Sequence, residues 1–112
     1  MPTIVEDLLT VAVDTSTSGD NTIIADPGDG KFIAIDFLTL NPNGGGQTLL
    51  FKNCVPSGSN LTFTLDDNQP LTFENTTHHM RGILTVNAST AFVLNLGSAT
   101  QVTGFIRYRI VD

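Results

Sequence analysis

The sequence predicts an all-β fold: an antiparallel β-sandwich, jelly-roll-like, with eight or nine strands. Three observations carry that expectation. Residues suited to a pleated sheet dominate, with Val, Ile, Thr, Phe and Tyr supplying 40 of 112 positions. The helix-favouring set of Ala, Glu, Lys, Arg, Gln and Met supplies only 18. Turn signals also recur at short, fairly even intervals, and the segments between them alternate apolar with polar residues. Two packed antiparallel sheets let so many short strands bury their alternate residues.

The first clear strand covers residues 10–14, where Val11 and Val13 alternate with Thr10, Ala12 and Asp14. Residues 15–20 are polar and read as a loop ending in Ser18-Gly19-Asp20. Residues 22–25 form a short apolar strand closed by Asp26-Pro27-Gly28-Asp29-Gly30, in which Pro27 presets a turn and the glycines allow positive φ. Residues 31–40 are the longest apolar run. Strict alternation places Phe32, Ala34, Leu38 and Leu40 on one face and Ile33, Ile35 and Phe37 on the other. A strand apolar on both faces is central or covered by a partner. Asp36 falls on the Phe32 face, which predicts a polar contact or solvent at its middle.

Asn41-Pro42-Asn43-Gly44-Gly45-Gly46 is the strongest turn signal in the chain. Residues 48–54 follow as a strand with Leu49 and Phe51 opposite Leu50. After a break at 55–59, Leu61, Phe63 and Leu65 alternate with Thr62 and Thr64, the pattern of a strand with one wet face. Asp66-Asp67-Asn68-Gln69-Pro70 turns the chain into Leu71-Thr72-Phe73, and residues 75–81 read as a polar loop. Residues 82–86, 91–96 and 102–111 read as the last three strands. The first 17 residues fit least well. Ile4, Val5, Leu8 and Leu9 surround Glu6-Asp7, so residues 1–17 are expected to form an arm or edge strand beside a sandwich domain spanning 18–112.

Charge and composition narrow the function. The net charge is −6, and the basic residues Lys31, Lys52, Arg81, Arg107 and Arg109 are scattered. Phosphate backbones are held by clustered Lys and Arg, so nucleic-acid binding is disfavoured. The apolar runs are too short for a membrane-spanning helix. No basic segment followed by an apolar stretch opens the chain, and the single Cys54 has no internal disulfide partner. Both features fit synthesis in a reducing cytoplasm.

Candidates for chemistry are few. His78-His79 with Glu74 is the nearest approach to a metal set, but adjacent strand residues point to opposite faces, so no metal or cofactor is expected. Asp20, Asp26 and Asp29 lack the acidic spacing of a calcium loop and read as partners of turn amides, as do Asp66-Asp67. Cys54 reads as a small buried hydrophobe, and Gly44-Gly45-Gly46 lacks the Lys-Ser or Lys-Thr of a phosphate loop. Three sequons, at Asn60, Asn75 and Asn87, are explained by a chain with 9 Asn and 16 Thr. Without Trp, a glycan site would need an exposed Tyr108 or the His78-His79 loop. The reading is therefore of a surface and not an enzyme.

One family resemblance follows from the order of several segments: Ser18-Gly19-Asp20-Asn21-Thr22-Ile23-Ile24, Gly30-Lys31-Phe32-Ile33-Ala34-Ile35, Thr48-Leu49-Leu50-Phe51-Lys52, Phe92-Val93-Leu94-Asn95-Leu96 and Val102-Thr103-Gly104. Together they resemble the small jelly-roll decoration, or cement, proteins on the outer capsid surface of tailed bacteriophages. The resemblance runs from Ser18 to the C-terminus. It implies a virion protein, made in the host cytoplasm, that docks as a homotrimer on the major capsid protein and bridges neighbouring subunits. The candidate contact residues are Ile4, Val5, Leu8 and Leu9, which can add to a neighbouring sheet edge, and His78, His79 and Arg81. The last three occupy a loop where that family often carries Gly-Trp. The alternative is a head or tail appendage module that binds host surface glycans.

Overall fold

The computed structural model describes residues 8–54, 61–76 and 82–112, and among these nine strands form. They are β1 (Leu9–Thr15), β2 (Gly19–Ile24), β3 (Phe32–Asn43), β4 (Gln47–Lys52), β5 (Leu61–Leu65), β6 (Leu71–Glu74), β7 (Leu84–Thr85), β8 (Phe92–Leu96) and β9 (Gln101–Val111). The first sheet has the order β1-β9-β3-β6, with β7 also on β3, and the second has the order β2-β8-β4-β5. All pairings are antiparallel. The chain pairs as one long folded hairpin: β1 with β9, β2 with β8, β3 with β6 and β7, and β4 with β5. Rolling that hairpin joins β9 to β3 and β8 to β4, which is the strand order of a jelly roll. β1 is an edge strand, so residues 9–15 belong to the first sheet.

The inner faces meet in one core. Ile33, Ile35, Leu38, Leu40, Val102 and Ile106 come from the first sheet; Leu49, Phe51, Phe92, Leu94 and Leu96 come from the second. Phe51 is its hub, with ring centroids of Phe63, Phe73 and Phe92 at 5.3, 6.4 and 5.7 Å. Each fully buried side chain of this kind contributes about 1.5–3 kcal/mol of transfer free energy.

The expected faces of β3 need correction. On β9, Tyr108 pairs with Ile35 and Arg107 with Phe37, so Asp36 is an extra residue with no partner. A bulge of this kind shifts the side-chain phase by one. Ile33 and Ile35 therefore share the core face with Leu38 and Leu40, and Phe37 turns outward. Asp36 does find the polar contact expected of it.

β3 also runs further than expected, through Asn41-Pro42-Asn43, and the turn narrows to the glycines. Proline is tolerated here because the Pro42 carbonyl accepts from Asn68 N (2.8 Å), on the side where β6 has already ended. Its missing N–H faces that same side, so no ladder bond is lost. β2 likewise starts earlier than expected, at Gly19, paired with Leu96. Gly104 sits where β9 presses closest to β3. Its φ is 152°, and a Cβ there would overlap the carbonyl oxygen of Thr39.

Candidate docking surface

The two outer faces of the sandwich differ in character. On the second sheet the outward positions are mostly polar. Lys52 Nζ donates to both carboxylate oxygens of Asp20, at 3.2 and 3.1 Å, and Asn95 Nδ2 donates to Oδ1 at 2.7 Å. The hydrogen bond from Asn95, and then that from Lys52, hold the Asp20 carboxyl below its ordinary range. Thr48 and Thr64 continue this face, their hydroxyls 3.5 Å apart.

The first sheet is different. The large apolar side chains most exposed among the described residues are Leu8 (52%), Ile83 (43%), Leu9 (38%) and Phe105 (36%), and all belong to this sheet or its ends. Alternation puts Phe105 on the outer face, opposite Val102 and Ile106, and Ile83 opposite the inward Leu84. Phe105 stacks on Phe37 with centroids 5.4 Å apart and 19° between planes. The guanidinium carbon of Arg107 lies 5.9 Å from the Phe105 centroid.

The register fixes a grid on this face. One row reads Glu74, Phe37, Arg107, Thr10 across β6, β3, β9 and β1; the next reads Thr72, Thr39, Phe105, Ala12. Beyond the first row, the Arg109 guanidinium grips the Asp36 carboxylate at 2.6 and 3.0 Å, and Asn75 Nδ2 donates to Asp36 Oδ1 at 2.9 Å. Lys31 pairs with Asp112 and Lys52 with Asp20. Arg107 is the cation that makes no ion pair among the described residues. It stands exposed beside the aromatic stack.

Of the residues singled out from the sequence, Leu8 and Leu9 are exposed at the start of β1; Leu8 lies at the margin of this face, while Leu9 shares the inward side of Val11, Val13 and its partner Tyr108. Ile4, Val5, His78, His79 and Arg81 lie outside the described residues. Tyr108, needed exposed for a glycan platform, instead points inward and packs against the core. Asp26 and Asp67 bind the turn amides of Gly28 and Gly44 at 2.8 and 3.0 Å, as expected of turn carboxylates. Cys54 is buried, and burial pushes its thiol up to about 11. No group of three His, Cys, Asp or Glu able to hold a metal occurs among the described residues.

The Phe37–Phe105–Arg107 cluster is the feature that sequence reasoning missed. Its signal lay in β9, where Phe105 is an apolar residue at an odd position among polar ones. Compared with protein-family models, with curated proteins and with solved structures, the chain matches none of them.

Proposed function

We propose that this protein is a virion structural protein of a tailed bacteriophage, a decoration protein that docks as a homotrimer on the outer capsid surface and bridges neighbouring major capsid subunits. One observation carries the reading: apolar side chains are exposed on one sheet face of the jelly roll, while the opposite face is mostly polar. A face of that kind is an interaction surface, and exposed apolar patches mark contact sites on otherwise soluble domains. The sequence resemblance from Ser18 onward supports a phage capsid as the assembly that uses it. Three linked copies multiply weak individual contacts through effective concentration, which suits a clamp on a shell. The acidic balance repels DNA and favours the outside of the particle. Saturable binding to expanded shells of the phage that encodes the chain, with shells tougher to heat or pressure when decorated, supports this function. Shells that neither bind the protein nor gain toughness overturn it.

The glycan reading has one favourable feature, the exposed Phe105 ring on a Thr-rich face. Binding on a glycan array, lost in Phe105→Ala, decides for it.

A further inference from the structure

We propose that the outer face of the first sheet is where copies of this chain meet, three of them around an axis running along β3, with Glu74 of each copy paired to Arg107 of the next. This rests on the trimeric reading above and names its contact.

The argument begins with charge placement. Glu74 and Arg107 flank Phe37 on the same row, one strand to either side. They are about 10 Å apart at a strand spacing of ~4.8 Å. Neither makes an ion pair among the described residues, and both are exposed. Rotation about an axis parallel to the strands keeps each residue at its own height along that axis. It therefore brings the β6 flank of one copy against the β9–β1 flank of the next, with Glu74 level with Arg107. Thr10 and Ala12 on β1 are short, so the Arg107 side chain reaches past them to that flank.

The apolar residues obey the same rule. Phe37 lies between the charged flanks, Phe105 stacks on it from the next row of β9, and both turn toward the axis. Leu8, next to Leu9 of the Leu9–Tyr108 pair, lies on the β1 flank. Ile83, next to Leu84 of the Ile35–Leu84 pair, lies on the β7 flank, about two residues further along the axis because β1 and β7 run in opposite directions. Closing the ring puts Leu8 of one copy and Ile83 of its neighbour on the same seam. Strands of 12, 11, 7 and 4 residues, at ~3.3 Å per residue and ~4.8 Å between strands, give a face on the order of 550 Å² per copy, at the low end of a specific contact. The polar face of the second sheet stays outward and keeps the assembly soluble.

Multi-angle light scattering on the full chain tests this, with far-UV dichroism to confirm folding. The wild type is expected at three times the 12.0 kDa chain mass. Glu74→Arg and Arg107→Glu are each expected at one chain mass at tens of micromolar, and the double exchange is expected to restore three. A monomeric wild type, single variants that remain trimeric while folded, or a double exchange that stays monomeric each overturn the contact. Shell binding separates this from the function. A trimer broken by these charges that ignores capsids keeps the contact and removes the decoration role. A trimer indifferent to the charges that still saturates shells does the reverse.

Discussion

Arg109 and Asp36 are joined by two parallel hydrogen bonds, Nε to Oδ2 and Nη2 to Oδ1, and Asp36 is the β3 residue that has no partner on β9. The ion pair thus clamps the bulge to the strand it interrupts. The clamp is anchored again on the other side, where Asn75 donates its main-chain N–H to the Asp36 carbonyl at 2.8 Å and its amide to the carboxylate. Everything beyond Asp36 on β3 depends on that extra residue. It sends Leu38 and Leu40 into the core and Phe37 to the outer face, where it meets Phe105.

Asp36→Ala is expected to cost about 2 kcal/mol, because it leaves the half-buried Arg109 without its bidentate acceptor. The value sits below the cost of breaking a fully buried pair because both side chains keep some water contact. For a domain of this size that lowers Tm by about 10 °C. Arg109→Ala costs a similar amount, and the double variant little more than either alone, which is the coupling a double-mutant cycle measures. A Tm within 2 °C of wild type in Asp36→Ala would remove the clamp.

Gly104→Ala is expected to be among the most damaging single changes. The added Cβ meets the Thr39 backbone in the middle of a sheet, and neither strand has room to move. A loss of about 4 kcal/mol or more follows, enough to leave little folded protein. Gly19→Ala is the control. Its φ is also positive, at 95°, but nothing lies within 4 Å of a Cβ there, so the cost is about 1–2 kcal/mol of backbone strain. Urea unfolding of the two variants side by side checks the ordering; equal costs would show that close packing at Gly104 is unimportant.

The class and most strands were legible because alternation and turn residues report local geometry directly. Val11 and Val13, Leu49 and Phe51, and Leu61, Phe63 and Leu65 all fall on the inner faces their spacing indicated. The bulge was not legible, since Asp36 in an apolar run looks the same whether it is a strand residue on a wet face or an inserted one. One missed residue then misplaced every side chain after it on β3. The aromatic cluster on the outer face was illegible for the same reason: Phe37 and Phe105 come together only once the register across β3 and β9 is known. Pro42 misled by its composition, because whether a proline ends a strand depends on which neighbour its nitrogen faces.

Gln47 is buried, and its side chain staples the turn between β8 and β9. Its Nε2 donates to the carbonyls of Ser98 and Thr100 at 3.0 and 2.9 Å, and its Oε1 accepts from the amides of Thr48 and Ser98, both at 3.0 Å. Gln47→Ala orphans several main-chain groups at once and is expected to cost about 2–3 kcal/mol. Gln47→Glu keeps the acceptor but cannot donate, and it places a carboxylate where wild type has a neutral amide, so it destabilises at neutral pH and recovers partly in acid. Hydrogen exchange at the Ser98 amide gives the local readout. Protection there unchanged in Gln47→Ala would show that the staple is dispensable.

Cys54 gives the fold an alkaline limit. Burial raises its thiol from an ordinary 9.0 to about 11, so the folded chain holds a proton that the unfolded chain has released. The sign follows from linkage: a group whose pKa is raised on folding contributes stability in full below pH 9.0, and that contribution is lost as pH rises through about 11. Unfolding free energies in urea are therefore expected to fall across this window in the wild type. In Cys54→Ala this part of the slope is absent, although the variant loses about 1 kcal/mol of packing at every pH. A thiol reagent at pH 8 gives a second reading, slow on the folded chain and fast in denaturant, because the buried thiol is neither ionised nor reachable. Parallel pH profiles for wild type and variant, or rapid native labelling, would mean that the sulfur sits in water and that the Cys54–Val86 bridge opens readily.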